Sequence, residues 1–371
     1  MKVSLTRWLP LLGDLRGSSP AALGNDAMAG TITAILLVPQ ALAYALLAGL
    51  PPEVGLYASV LPVLVYALLG SSRTLAVGPV AVAAVMVSTA LIPYADGDPA
   101  RYLSGALILS ALSGAVLLAM AALRLGWLTH FISHPVLSGF TTGAALFIIA
   151  TQLGALSGIA VPRDAGFIEI VQTLATTIAE LNPATTAFGL GTLILLLLAR
   201  EPLARALRAA GLRASTAGII GRTAPLLLVA LSTVLSVALE AHARWQIGVV
   251  GEIPKGLPGL SWHFLREPGW MSLLPAAVMI ALIGYVESIS VARTLAFRRQ
   301  QKVDADQELL ALGATNLVAA FAGAMPVAGG FARSMVNFDA GAKTQLAAIV
   351  TALGVAVAAF AFTGLLADLP K

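Results

Sequence analysis

Between residues 27 and 366 the chain passes through ten apolar stretches and one shorter one, with only brief polar connections between them. Crossing a hydrocarbon core of about 30 Å takes roughly 20 apolar residues as a helix. In lipid every backbone amide must also find its partner inside the protein. These two demands define the class, an all-α polytopic membrane protein. The balance of 58% hydrophobic to 11% charged residues excludes a soluble globular domain. No cysteine is present, which removes disulfides, haem attachment and thiolate metal sites.

The spans are expected near 27–50, 54–70, 76–93, 103–123, 134–153, 184–199, 216–240, 271–297, 306–322 and 344–366, with a half-span near 330–341. Segment 167–180 sets apolar residues at helical spacing beside Glu169 and Glu180 and reads as an interfacial helix. Residues 1–26 carry Lys2, Arg7, Asp14 and Arg16 without an apolar core and cleavage site, and read as a cytoplasmic lead-in. The net charge of +4 is spread over the loops, so it speaks of topology and not of nucleic acid. Of the 22 Lys and Arg residues, fifteen fall on one side, among them Arg200, Arg213 and Arg222; six fall on the other, among them Arg163 and Lys371; Arg333 belongs to neither. The excess of positive charge on the inner side gives an N-terminus in the cytoplasm and a C-terminus outside.

Two places break the helical pattern inside apolar sequence. One is Ala76-Val77-Gly78-Pro79-Val80 at the opening of the third span; the other runs from Gly323 to Thr344 and contains Pro326, Gly329 and Gly330. Broken backbone at membrane depth is tolerated only where protein or a water-filled cavity covers it. Interrupted segments at matching positions of two halves point to a transporter's midplane site built on an inverted repeat. The bland alternative, that Gly78-Pro79 only kinks a helix, loses weight because the break occurs twice. Half-helix N-termini meeting at the midplane would present open amides and partial positive charge to an anion, and Arg333 adds a full charge there.

Few ionisable residues lie inside the spans. Glu287 falls in the middle of the eighth, where a carboxylate is costly and normally faces a cavity or a partner. Held between burial, which favours its neutral form, and Arg333, which favours its charged form, it could load and unload a proton; the alternative is a static Glu287–Arg333 ion pair. Gln40 follows Pro39 in the first span, with Tyr44 one turn on along the same face, and both could line the same cavity. His130 and His134 have a spacing that can bind metal but no carboxylate or thiolate nearby in sequence, so no metal site is expected. Phosphate-cradling glycine loops, HExxH and nucleophile elbows are absent, and nothing points to an enzyme or to a cofactor.

Several stretches resemble the SulP (sulfate permease) family, whose animal members include pendrin and prestin. The run from Asp26, DAMAGTITAILLVPQALAYALLAGLPPEVGLYASVLPVLVYALLGSSRTLAVGP, is similar to the family's first three spans, with Val54 where a tyrosine is usual. FISHPVLSGFTTGAAL resembles the fifth span. ESISVARTLAF, QELLALGATNLVAAFAGAMPVAGGFARSMVNFDAGAKTQ and LADLPK resemble the eighth to eleventh spans and the start of the twelfth. The resemblance implies a seven-plus-seven inverted repeat. Its core domain would comprise 27–123 (spans 1–4) and 271–371 (spans 8–11), and its gate domain 124–240 (spans 5–7), with gate spans 12–14 and the STAS domain absent. By position it places Gln40, Tyr44, Val80, Ala81, Phe331, Ala332, Arg333 and Ser334 at the substrate and Glu287 at the coupling step. Ala332 departs from the serine of many members, which leaves substrate choice open.

The expected function is secondary-active anion transport, by proton-coupled symport of a dicarboxylate or sulfate through an elevator-type movement. The setting would be a bacterial inner membrane, with the lipid bilayer as surroundings and a homodimer when full length. Sodium in place of the proton, a bicarbonate substrate, an uncoupled exchanger or channel, and a nucleobase permease of the same fold are the alternatives. Arg333 favours an anion over a neutral base.

Overall fold

The computed structural model describes residues 9–130, 134–162, 165–199, 201–211, 227–257 and 259–370. Lys2, Arg7, Arg163, Arg200, Arg213, Arg222 and Lys371, residues 131–133 of the FISHP run, and the expected seventh span before residue 227 lie outside them. The chain divides into two compact units, one drawn from 1–142 and 255–360, the other from 143–254 and 361–371.

The first unit begins with α1 (Pro10–Arg16), α2 (Pro20–Leu47), α3 (Pro52–Tyr57), α4 (Leu61–Leu69), β1 (Val77–Gly78), α5 (Ala81–Ala95) and α6 (Pro99–Ala122). Helix α7 (His134–Ser157) crosses the boundary between the units, and the second unit continues with α8 (Phe167–Thr176), α9 (Pro183–Ala199), α10 (Glu201–Ala209), α11 (Leu227–Ala238) and α12 (Ala241–Trp245). The chain returns to the first unit for α13 (Trp270–Arg298), α14 (Ala305–Phe321), β2 (Ala328–Gly329), α15 (Phe331–Asp339) and α16 (Leu346–Ala361), and α17 (Thr363–Leu366) belongs to the second. Helices α2, α6 and α13 and the pair α3–α4 are long and apolar enough to cross a membrane.

Local chemistry accounts for the boundaries. Ser19 accepts the Ala22 N–H ahead of Pro20, so α2 starts before residue 27 and takes the end of the supposed lead-in, Asp26 included, into the first helix. Asp98 caps α6 and Asp304 caps α14 in the same way. The interfacial segment is helical over Phe167–Thr176, then tightens to a 3₁₀ turn at Ile178–Glu180; it buries Ile170 and exposes Ile168. The third span does not begin at 76: residues 76–80 are extended, and the helix starts at Ala81.

Close packing in the first unit depends on glycine. A Cβ on Gly114 of α6 would lie 2.6 Å from the Leu317 backbone nitrogen of α14, and one on Gly30 of α2 would lie 2.4 Å from the Ala347 carbonyl oxygen of α16. With no hydrophobic drive between helices in lipid, such backbone approach supplies the packing. The Thr351 hydroxyl adds a hydrogen bond to the Gly30 carbonyl at 3.0 Å.

Candidate anion site

The two breaks meet. Val77–Gly78 and Ala328–Gly329 pair as an antiparallel two-stranded ladder, with Val77 opposite Gly329 and Gly78 opposite Ala328, and the Gly330 N–H donates to the Ala76 carbonyl at 3.1 Å. The all-α expectation is therefore refined by one short β-pair at its centre. Because the strands run in opposite directions, α5 and α15 leave the crossing from facing N-termini. Val80, Ala83 and Ala328 pack together there, all buried. Neither N-cap, Val80 or Gly330, supplies a side-chain hydrogen bond. A helix cannot satisfy its own first-turn amides, so two sets of N–H groups and two positive dipole ends converge on one place.

Arg333 lies in the first turn of α15 and is only 4% exposed, which excludes a side chain snorkelling to an interface. Its Nε donates to the Ala76 carbonyl, and its Nη1 to the Pro79 carbonyl and Gln40 Oε1, each at 3.3 Å. Its Nη2 is buried and has no hydrogen-bond partner among the described residues. Gly78 and Gly330 flank that nitrogen, and a Cβ on either would lie 3.1 Å and 3.2 Å from it respectively. Absent side chains at these two positions thus make the space the guanidinium occupies. Gln40 in turn donates from Nε2 to the Tyr44 hydroxyl at 3.0 Å, so Arg333, Gln40 and Tyr44 form one polar chain.

The remaining residues singled out in the sequence distribute as follows. Ala81 opens α5, while Phe331 and Ala332 open α15 and are exposed. The Ser334 hydroxyl oxygen accepts the Ala76 N–H at 2.9 Å and so fixes the strand. Glu287 is half-buried in α13; among the described residues it makes no hydrogen bond or salt bridge, while standing near enough to Arg333 for the two charges to interact. No group of three or more His, Asp or Glu side chains converges among the described residues.

A set of side chains that the sequence did not reveal holds the broken backbone. Asn316 of α14 receives the Val327 N–H and donates to the Val327 carbonyl, both at 2.9 Å. Ser288 of α13 accepts the Gly329 N–H at 2.7 Å. On the other strand, Asn337 donates to the Thr74 carbonyl and Gln345 to those of Ser72 and Leu75. At the far end of α15, Arg299 donates to the carbonyls of Phe338 and Ala342 and lies 4.1 Å over the Phe338 ring. A cation at that end complements the helix dipole whose positive end faces the site. Polar residues within spans are the signal that could have found these, although each partner lies far away in sequence.

Fold and site together define a polytopic membrane protein with two broken helices crossing at a buried arginine. The profile of the sulfate permease family matches residues 23–371, and the chain belongs to that family. It is 36% identical to a probable sulfate transporter of Mycobacterium tuberculosis, over 98% of this chain and 62% of that one. It is 37% identical to sulfate transporter 4.1, chloroplastic, of Arabidopsis thaliana, over 88% of this chain and 46% of that one. The chain thus spans about half to two thirds of the length of these relatives. Among solved structures it resembles SLC26A9, with a TM-score of 0.89 at 24% identity over 100% of this chain and 59% of that one. It also resembles the transmembrane domain of the cyanobacterial bicarbonate transporter BicA, with a TM-score of 0.81 at 23% identity over 95% and 86% respectively. These likenesses establish the seven-plus-seven inverted-repeat fold.

Proposed function

We propose that this chain is the substrate-carrying part of a secondary-active anion transporter, taking a small oxyanion or dicarboxylate, with sulfate the leading candidate. The observation that carries the reading is the partnerless, buried Nη2 of Arg333 between two uncapped helix N-termini. Positive charge and open N–H groups inside the protein are costly unless something negative completes them, and an anion does so from both helices at once. Membership in the sulfate permease family supports the same substrate class.

The half-buried carboxylate of Glu287, held in no hydrogen bond or salt bridge among the described residues but within electrostatic reach of Arg333, supports proton coupling over a passive channel, which needs no titratable group in the pathway. The site residues are Gln40, Tyr44, Val80, Ala81, Phe331, Ala332, Arg333 and Ser334. Of these, Arg333 and the two helix N-termini bind the charge, and Ser334 and Gln40 hold backbone and guanidinium in place. Movement of the unit carrying the site past the other would deliver the anion, in an elevator-type step, across a bacterial inner membrane with the N-terminus cytoplasmic.

The test is uptake of radiolabelled sulfate, succinate, bicarbonate and chloride into proteoliposomes holding the full-length protein, with and without an inward proton gradient. Accumulation of one anion above equilibrium, dependent on the gradient, is expected. Equilibration without accumulation would refute coupling, and no saturable uptake of any of the four would refute the anion reading.

A further inference from the structure

Glu308 is a wholly buried carboxylate outside the site. It sits in the first turn of α14, is wholly enclosed, and no lysine or arginine pairs with it among the described residues. Four donors surround it instead. Its Oε1 accepts the Ser71 N–H and Ser71 hydroxyl, both at 2.8 Å, and the Ser72 N–H at 2.9 Å. Its Oε2 accepts the Tyr66 hydroxyl at 2.8 Å. Four donors suit a carboxylate acting as acceptor only, and hydrogen bonds to an ionised acceptor are the stronger kind.

Ser71 and Ser72 begin the extended run that ends at Val77–Gly78 and the start of α5. Downstream of Ser72 the main chain of that run is tied by the neutral groups of Gln345, Asn337 and Ser334, until Arg333 reaches Ala76 and Pro79; the Arg73 side chain pairs with Asp14 at the exposed edge. Glu308 is therefore the charged anchor at one end of the run, and Arg333 is the charged anchor at the other. Neighbouring Gln307 reinforces the first by donating to the Leu69 carbonyl at 2.6 Å. Helix α14 also carries Asn316, which clamps Val327 beside the second strand. One rigid helix thus holds the approach to both half-helices.

We infer that Glu308 is a positioning residue for anion binding: by gripping Ser71 and Ser72 it sets where the amides of α5 stand relative to those of α15. The inference rests on the anion reading above. It goes further, in that a carboxylate never in contact with substrate controls its affinity. Geometry of this kind acts on binding because donors misplaced by about 1 Å lose much of their hold.

The experiment compares the full-length wild type, Glu308→Gln, Tyr66→Phe and Arg333→Ala in proteoliposomes. It uses whichever of radiolabelled sulfate or succinate the wild type takes up, with rates normalised to folded protein by size-exclusion. Glu308→Gln keeps the volume but sets an amide N–H₂ against a donor. Its KM should rise about five- to tenfold while Vmax per folded transporter changes less than twofold. Tyr66→Phe leaves all three donors on Oε1 and should keep KM within about twofold. A Glu308→Gln protein with unchanged KM, whatever its Vmax, overturns the inference and leaves Glu308 a packing element. If that variant yields no folded protein, Ser71→Ala, which removes one donor from Oε1, must raise KM about two- to threefold, and an unchanged KM in it overturns the inference equally. Arg333→Ala separates the two readings: a normal KM there sinks the anion site itself, whereas lost binding there with normal KM in Glu308→Gln sinks only the positioning role.

Discussion

Replacing Arg333 is the perturbation whose consequences the structure defines most closely. In Arg333→Ala the Ala76 carbonyl keeps its bond from the Gly330 N–H, but the Pro79 carbonyl and Gln40 Oε1 each lose a donor. Gln40 keeps the bond from its Nε2 to Tyr44, but its Oε1 loses its donor, so the structural damage is two orphaned acceptors, the Pro79 carbonyl and the half-buried Gln40 Oε1, at about 1–3 kcal/mol each where water does not replace the donor. The functional damage falls on the anion itself. A charge-assisted bond from Nη2 to an anion contributes about 1.5–3 kcal/mol, and at 1.4 kcal/mol per tenfold that is roughly 10- to 150-fold in affinity. Arg333→Ala should therefore fold, lose some thermal stability, and show a KM at least tenfold higher or no saturable uptake. Arg333→Lys keeps the charge but not the planar fork that reaches Ala76, Pro79 and Gln40 together. It should fall between wild type and alanine. The assay is initial-rate uptake into proteoliposomes, paired with melting in detergent. A KM within twofold of wild type in Arg333→Ala would refute the reasoning, because the buried Nη2, without a hydrogen-bond partner among the described residues, would then bind nothing.

Glu287→Gln should abolish the dependence of uptake on the proton gradient while leaving saturable exchange of the anion, and retained gradient dependence would rule out its coupling role. Asn316→Ala leaves both the Val327 N–H and its carbonyl without their clamp and should cost about 2–5 kcal/mol, read as a lowered melting temperature; an unchanged one would mean another group takes over both bonds. Asp14→Asn removes the bidentate partner of Arg73, whose side chain is 45% exposed. It should cost less than about 1 kcal/mol, and a large loss in melting temperature would show that α1 does more than decorate the first unit.

The breaks are legible in the sequence because proline lacks the amide a helix needs and glycine weakens one, so together in apolar sequence they mark where a span is interrupted. Pro79 and Gly329–Gly330 point directly to the crossing. The ladder itself is not legible, since two residues per strand carry no period-two signal, and pairing between Val77 and Gly329 leaves no trace near either. Gln40 and Tyr44 can be matched to each other by helical spacing. Their attachment to Arg333, 293 residues beyond Gln40, cannot be read without the fold. Glu308 and Asp26 escape notice because each stands near a helix start with other polar residues, where a solvated carboxylate is the ordinary arrangement. In the structure Asp26 instead accepts the backbone N–H groups of Lys343 and Thr344 and the Thr344 hydroxyl. Hydropathy places the start of the first helix too late, because the capping signal of Ser19-Pro20 lies in less apolar sequence.

The ladder at the crossing is made of main-chain groups. Apart from proline, which lacks the N–H, no change of side chain removes those groups themselves, and Gly78, Ala328 and Gly329 contribute little beyond their smallness. The scaffold of the centre is thereby separated from its chemistry. Ala332, exposed at the start of α15, takes no part in the ladder, so a substitution there leaves those main-chain bonds in place. On the anion reading, a change at such a position would alter what is carried while the crossing itself stays folded.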